Sequence, residues 1–146
     1  MRLVTDQTGY APVVWKWMNE RNALPWSTSL RTVGLMRDDG SIAGAIGFDS
    51  WAPSSCWMHI ALDNKHCFSK TLLRAAFDYP FVKCGVDAVY GLTSKTLTEA
   101  IRFNEKIGFS RLAETVDCVI FEMKAKDCRW IRQGEKNGQE ESTAAA

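Results

Sequence analysis

The sequence predicts an α/β fold in which strands alternate with amphipathic helices. Apolar residues alternate over Cys56–Leu62, with Cys56, Met58, Ile60 and Leu62 on one face, which is typical of a strand. They then follow helical spacing over Phe68–Lys83, and a second apolar run, Val86–Leu92, comes next. Because a helical crossover joins parallel strands, we expect these two strands to be parallel neighbours. The turn cluster at 38–41 predicts, in contrast, an antiparallel hairpin.

Length and composition are those of an ordinary globular domain. The chain has 146 residues, of which 46% are hydrophobic and 24% are charged, so it can bury one core without disulfides. A net charge of +1 argues against a nucleic-acid binder that uses a large basic surface. The sequence has no apolar run of about 18 residues and no secretory signal. We therefore expect a cytoplasmic protein that does not enter a membrane.

The N-terminal third is predicted to form a strand, a helix and a hairpin. Arg2–Thr5 can form a short strand. The helix that follows has Pro12 near its first turn, where a missing N–H does little harm. The arms of the hairpin are Leu30–Arg37 and Ile42–Trp51.

The second half is predicted to close the sheet around two helices. Pro80 is expected to kink the helix over Phe68–Lys83 or to end its regular part. The second helix, Thr96–Ile107, ends at a glycine. Its predicted apolar face consists of Leu97, Ala100, Ile101 and Ile107. A closing antiparallel pair is predicted at Arg111–Thr115 and Val116–Met123.

A change of composition predicts where the domain ends. We expect one domain over residues 1–126 and a C-terminal extension over residues 127–146. After about residue 133 the extension is polar and lacks apolar periodicity, so it is predicted to be largely disordered.

The cysteines predict free thiols. Their number is odd and no CxxC pair occurs, which favours reduced, partly buried side chains. The five are Cys56, Cys67, Cys84, Cys118 and Cys128. Cys56-x-x-His59 with His66-Cys67 could suggest a metal, but the spacing lacks the usual zinc-knuckle geometry, so no metal site is predicted.

The segment Ala100-Ile101-Arg102-Phe103-x-Glu105-Lys106-x-Gly108-Phe109, placed after strand, polar loop, helix and strand, resembles the core of a GCN5-related N-acetyltransferase. The runs 72–81 and 128–130 resemble the small members encoded by tailed bacteriophages. The resemblance covers residues 2–123. It implies a mixed, mostly antiparallel central sheet of about six or seven strands with helices on both faces. CoA would enter where two central strands splay apart.

The resemblance implies direct acetyl transfer from acetyl-CoA to a primary amine in a ternary complex. The acceptor would be a protein lysine, a protein N-terminus or a small amine. The alternative is a weakly active or inactive phage protein that serves as a virion component or a host-interaction scaffold. It would then reside in the virion or in the host cytoplasm, with host or virion proteins as partners. A CoA-binding sensor is a third possibility, and an oligomer is compatible with each.

The resemblance places the CoA pyrophosphate at the start of the first crossover helix, where backbone N–H groups face an anion. The family usually has glycines in this loop, whereas this chain has none there, and a Cβ hinders close backbone approach to phosphate. The alternative is a solvated helix start that carries two lysines. The implied cofactor-binding residues are Leu62, Lys65, His66, Cys67, Phe68, Ser69, Lys70 and Phe103.

Two residues are candidates for the proton transfers of the reaction. His59 is the titratable residue on the strand beside the expected acyl site, where the family often has Glu, and a base is required there. The alternative for His59 is a packed, hydrogen-bonded side chain. Aligned on Gly108-Phe109, Asn104 replaces the tyrosine that protonates the thiolate in the family. Asn104 can donate a hydrogen bond but cannot release a proton.

Tryptophans are unusually frequent, with six in the chain. Trp26, Trp51 and Trp57 lie in or near loops at the expected substrate end, and we predict that Trp26 and Trp51 bind the acceptor. The alternative is that these large rings pack into the core or an interface.

Overall fold

The computed structural model describes residues 1–6, 9–64 and 69–132. Its strands are β1 Arg2–Thr5, β2 Arg31–Met36, β3 Ile42–Ala52, β4 Ser55–Leu62, β5 Ala88–Ser94, β6 Ser110–Glu114 and β7 Cys118–Lys124. Its α-helices are α1 Ala11–Asn22, α2 Lys70–Asp78 and α3 Thr98–Ile107. Within these described ranges, no helix has both the length and the apolar character needed to cross a membrane.

The seven strands form one sheet in the order β1-β2-β3-β4-β5-β7-β6. The pairs β1–β2, β2–β3, β5–β7 and β6–β7 are antiparallel. β4 and β5 are parallel and pair over Ser55–Trp57 and Ala88–Tyr90. The predicted α/β fold with a mixed, mostly antiparallel sheet is therefore confirmed, as is the parallel pair on either side of a helix.

The first of two compact units consists of Met1–Trp51 and Met58–Ala76. In it α1 buries Val14 and Met18. Close packing here depends on Gly34 in β2, because a Cβ at this position would lie 3.0 Å from Val14 Cγ2 and equally close to a valine of β1. The missing side chain allows the helix to approach the strands.

The second compact unit consists of Ala52–Trp57 and the described residues from Phe77 onward. Its core is aromatic. Phe77 stacks on Phe81 with ring centroids 6.0 Å apart, and Phe109 lies 5.9 Å from Phe77 and 6.2 Å from Phe121. The Gly-Phe dipeptide after α3 thus supplies a ring at the centre of this unit.

The expected kink at Pro80 is a π turn. After α2 the chain continues as a π-helical segment over Tyr79–Lys83, in which the Cys84 N–H donates to the Tyr79 carbonyl at 3.0 Å. Proline lacks an N–H and clashes with the preceding turn, so a wider turn accommodates it.

Two details of the predicted apolar patterns are wrong. Leu97 is the N-cap residue of α3 and is 54% exposed, so it does not belong to the buried face of that helix. In β4 burial alternates through Cys56 and Met58 and then falls on Ala61 rather than on Ile60.

Residues after β7 pack onto the second unit. Cys128 and Ile131 are buried, and Trp130 donates from Nε1 to the Ile107 carbonyl at 2.7 Å. Residues 133–146, which the sequence predicts to be largely disordered, lie outside the described residues. The prediction of one domain over residues 1–126 stays a prediction.

Candidate active site

His59 lies in β4 and is held by an aspartate of the neighbouring strand. Its Nε2 is 2.8 Å from Oδ1 of Asp49 in β3, and the two side chains are 34% and 18% exposed. Asp49 was not found by sequence reasoning, since a partner on the next strand depends on register. Cys56, the other half of the considered metal pattern, is buried in the core. His59 is thus an oriented, partly exposed imidazole.

Two arginines fix the end of β4. Arg37 donates from Nη2 to Oδ2 of Asp63 at 2.9 Å, and Arg21 lies 3.5 Å from Oδ1. The hydrogen bond from Arg37, with the charges of both guanidinium groups, lowers the pKa of Asp63 below its ordinary value. The Asp63 N–H also donates to the Ala43 carbonyl at 3.0 Å. The end of β4 is therefore fixed by contacts with α1, with the residue after β2 and with β3.

Ser69 caps the helix at which the resemblance places the pyrophosphate. Its Oγ accepts a hydrogen bond from the Leu72 N–H at 3.1 Å, and its carbonyl accepts one from the Leu73 N–H at 3.1 Å. Lys70 is exposed at the first position of α2. Four of the predicted cofactor-binding residues lie outside the described residues: Lys65, His66, Cys67 and Phe68.

The two remaining predicted CoA contacts are partly buried. Leu62 is the last residue of β4, and a Cβ at Gly44 would lie 2.9 Å from its Cδ2. Gly44 thus makes room for the Leu62 side chain. Phe103 lies in α3 and is also partly buried. Their roles in binding CoA stay predictions.

Asn104 ties α3 to β5. Its side-chain Nδ2 donates to Oγ1 of Thr93 at 3.0 Å, and its backbone carbonyl accepts from the Phe109 N–H at 3.0 Å. One amide hydrogen is therefore used within the fold. Thr93 was not found by sequence reasoning, and the catalytic role of Asn104 stays a prediction.

The two tryptophans predicted to bind the acceptor differ in their surroundings. Trp26 is 51% exposed and packs edge-on against Trp15, with ring centroids 5.5 Å apart. Trp51 donates from Nε1 to the Ser29 carbonyl at 2.9 Å, and its ring centroid lies 6.3 Å from that of Phe48. The Trp26 ring therefore offers surface to a ligand, whereas Trp51 is held in place by its neighbours.

A third tryptophan belongs to an aromatic pair that sequence reasoning missed. Trp57 and Tyr90 form the last registered pair between β4 and β5, with ring centroids 5.5 Å apart. A hydrogen bond to Glu122 raises the pKa of Tyr90 above its ordinary value. The hydrogen bond with Glu122 thus favours the protonated form of this phenol.

Solved N-acetyltransferases share this arrangement at low sequence identity. A variant of the spermidine N-acetyltransferase SpeG from Vibrio cholerae matches with a TM-score of 0.72 at 15% identity, over 92% of this chain and 100% of that chain. This is the N-acetyltransferase fold. The N-acetyltransferase PseH from Campylobacter jejuni, solved with acetyl coenzyme A, shares the N-acetyltransferase fold with a TM-score of 0.60 at 16% identity, over 84% of this chain and 97% of that chain.

A further Vibrio cholerae spermidine N-acetyltransferase structure, described as dodecameric, matches with a TM-score of 0.69 at 14% identity, over 86% of this chain and 94% of that chain. No family model and no curated protein sequence matches the chain. The GCN5-related N-acetyltransferase fold predicted from the sequence is thus confirmed by structure. The resemblance to phage-encoded members stays a prediction.

Proposed function

We propose that the chain transfers an acetyl group from acetyl-CoA to a primary amine, with His59 as the base. The observation that carries this proposal is the imidazole of His59 on β4, oriented by a 2.8 Å hydrogen bond and 34% exposed. Imidazole changes protonation near neutral pH, which suits a residue that must accept a proton from an amine. The N-acetyltransferase fold supports the choice of reaction.

In this reaction the ammonium form of the acceptor first loses one proton to water. The neutral amine nitrogen then attacks the thioester carbonyl carbon, the C–N bond forms, and the C–S bond breaks. The nitrogen gives its second proton to His59, and CoA leaves as the thiolate. The thiolate takes a proton from water and His59 returns its own to water, so the products are an amide, CoA thiol and one proton.

Asn104 would act on the leaving group only through a hydrogen bond. Its amide has two N–H groups, and one is donated to Thr93. Neither is acidic enough to protonate a thiolate. A thiolate leaves without help more readily than an alkoxide, so we propose that departure is slower than in relatives with a tyrosine but not blocked.

The CoA would be held at the end of β4 and the start of α2. Leu62, Ser69 and Lys70 would form this part of the proposed site, and the roles of Lys65, His66, Cys67, Phe68 and Phe103 stay what the resemblance implies. The start of a helix offers unpaired backbone N–H groups to phosphate. Ser69 already satisfies one of them, that of Leu72, so the remaining N–H groups would bind the anion.

The acceptor would be a small amine or the amine of a protein. The spermidine N-acetyltransferases of the same fold support a small amine. The exposed ring of Trp26 supports an acceptor with an apolar or cationic portion, because an aromatic face binds both. Trp51 would contribute an aromatic wall.

A non-catalytic role is the second candidate. The side-chain amide of Asn104 donates to Thr93, and the sequence from Lys65 to Lys70 has no glycine. Both features favour a protein that keeps the fold as a scaffold, as a virion or host-interaction protein would. A sensor that binds CoA without turnover lies between the two.

Calorimetric titration of acetyl-CoA, followed by an assay of thiol release, separates these functions. We expect saturable binding, and turnover with spermidine or with a peptide that has a free N-terminus. His59→Gln should keep binding and lower kcat by roughly 10²–10⁴-fold, the usual contribution of a general base. Asp38→Asn, at an exposed turn residue, is the control.

The outcomes exclude the alternatives in turn. Absence of binding at millimolar acetyl-CoA would rule out both the enzyme and the sensor. Binding of acetyl-CoA without thiol release, whichever amine is added, would favour a sensor that binds CoA without turnover. Unchanged turnover in His59→Gln would remove His59 from the mechanism.

A further inference from the structure

The hydrogen bond between β3 and β4 determines which nitrogen of His59 can act. A neutral imidazole carries one proton, so one ring nitrogen donates and the other accepts. An ionised carboxylate only accepts, and the nitrogen next to Asp49 is Nε2. The proton of the neutral ring therefore resides on Nε2. Nδ1 is then the nitrogen that can take a proton from a substrate.

We propose that Asp49 is a positioning residue, which holds His59 in the Nε2–H form and aims Nδ1 at the attacking amine. The inference rests on the proposed function for its catalytic part. Its structural part, the assignment of proton and partner, stands on the geometry alone.

The surroundings of Asp49 support a fixed partner rather than a chance surface contact. Its side chain is 18% exposed, about half the value for His59. The next residue, Ser50, has φ +51, a left-handed conformation in which a residue with a Cβ is strained. The backbone of β3 thus departs from regular strand geometry directly after the residue that contacts the imidazole.

Asp49 also matters once the proton has moved. When Nδ1 accepts a proton the ring becomes a cation, and its Nε2–H donor faces an anionic oxygen at 2.8 Å. A charge-assisted hydrogen bond of this kind is stronger than a neutral one. Asp49 therefore stabilises the imidazolium without taking up a proton itself.

The structural part is tested by nitrogen-15 NMR of the imidazole in the full chain. The chain has two histidines, and His66→Gln assigns their signals. We expect a proton-bearing Nε2 in His59 whose N–H signal is protected from solvent exchange, with Nδ1 unprotonated. Asp49→Ala should lose the protected signal, and Asp38→Asn should keep it. A proton on Nδ1 in the wild type, or a protected signal that persists in Asp49→Ala, would overturn the assignment.

The catalytic part is tested by kinetics of the same variants. Asp49→Ala should lower kcat roughly 10–100-fold, as loss of an orienting partner does elsewhere, and should leave the KM for acetyl-CoA unchanged. Asp49→Asn should also lower kcat, because its amide can donate to Nε2 and reverse the tautomer. A lost Nε2–H signal with an unchanged rate would overturn the positioning role. No turnover in the wild type would refute the proposed function, while the spectra would still decide the assignment of the proton.

Discussion

At the scale of single residues, Asp63 joins three parts of the first unit. Its carboxylate contacts Arg21 at the end of α1 and Arg37 just after β2, while its own backbone continues β4. Arg21 in turn lies 3.7 Å above the ring of Trp17. One side chain thus links the end of α1, the end of β2 and the end of β4.

We predict that Asp63→Asn makes the free energy of unfolding less dependent on pH in the acidic range. The pKa of Asp63 is lower in the folded chain than its ordinary value of 3.8. Its contribution to stability is therefore present above the unfolded pKa and is lost as pH falls through the folded pKa. The free energy of unfolding, measured by urea titration between neutral pH and about pH 2, should fall less steeply in Asp63→Asn than in the wild type.

Asp117→Asn, which changes an exposed carboxylate outside the arginine pair, is the control and should follow the wild-type slope. The pKa of Asp39 is lowered by its hydrogen bonds with Ser41, so this residue also stabilises the fold less as pH falls. Because Asp39 is present in every variant, the free energy of unfolding still depends on pH in all of them. Equal slopes for Asp63→Asn and the wild type would contradict the prediction.

The site residues show what a sequence can and cannot reveal at this scale. His59 and Asn104 could be found because a motif fixes their positions along the chain. Their partners, Asp49 and Thr93, are 10 and 11 residues away and lie on other elements. Which residues meet across a sheet depends on register and bulges, and one strand slipping by one residue reverses every side chain.

At the scale of elements, the end of α3 depends on one glycine. Gly108 has φ +116, and its N–H bonds back to the carbonyls of Asn104 and Glu105. A Cβ there would lie 3.3 Å from Cε of Met123. The residue therefore both ends the helix and gives room to a side chain of β7.

We predict that Gly108→Ala lowers the free energy of unfolding by roughly 1–3 kcal/mol, because alanine is strained at this φ and crowds Met123. Gly85→Ala is the matched control: φ is +71 and a Cβ there meets nothing within 4 Å, so only the backbone cost of about 1 kcal/mol applies. Chemical denaturation of both variants measures the difference. A smaller loss for Gly108→Ala than for Gly85→Ala would contradict the packing argument.

The type of an element was predictable where the spacing of apolar residues agrees with the positions of turn and helix-ending residues. The turn residues at 38–41 predicted the hairpin. Pro80 predicted that the regular helix ends near this position, where α2 is followed by a π-helical segment. The failure at Leu97 has a physical reason. Apolar spacing places residues on a face, but a residue at the cap has left the helical geometry and follows the loop instead.

At the scale of the whole molecule, the folded part extends past β7. Cys128 and Ile131 are buried, and Trp130 donates to the backbone carbonyl of Ile107 at the end of α3. The order of elements predicted the sheet, because short connections leave few topologies. The division into two compact units was not predicted, since contacts distant in sequence determine it.

We predict that a chain ending at Arg132 keeps the melting temperature of the full chain, whereas a chain ending at Asp127 loses stability. The shorter chain gives up the burial of Ile131, worth about 1.5–3 kcal/mol, and the Trp130 hydrogen bond, worth about 1 kcal/mol. Differential scanning calorimetry of the three chains measures the effect. Equal melting temperatures for the two truncations would show that the segment from Cys128 to Ile131 contributes nothing.

The parallel pairing of β4 with β5 has a consequence for synthesis on the ribosome. Cys56 pairs with Val89 and Trp57 with Tyr90, so β4 is translated well before its partner strand β5. At the usual rate of about 5–20 residues per second, the interval is roughly 2–7 s. During that time an apolar strand has one open hydrogen-bonding edge, at which it can pair with another nascent chain. Any aggregation through the edge of β4 is therefore expected during synthesis on crowded polysomes rather than after folding.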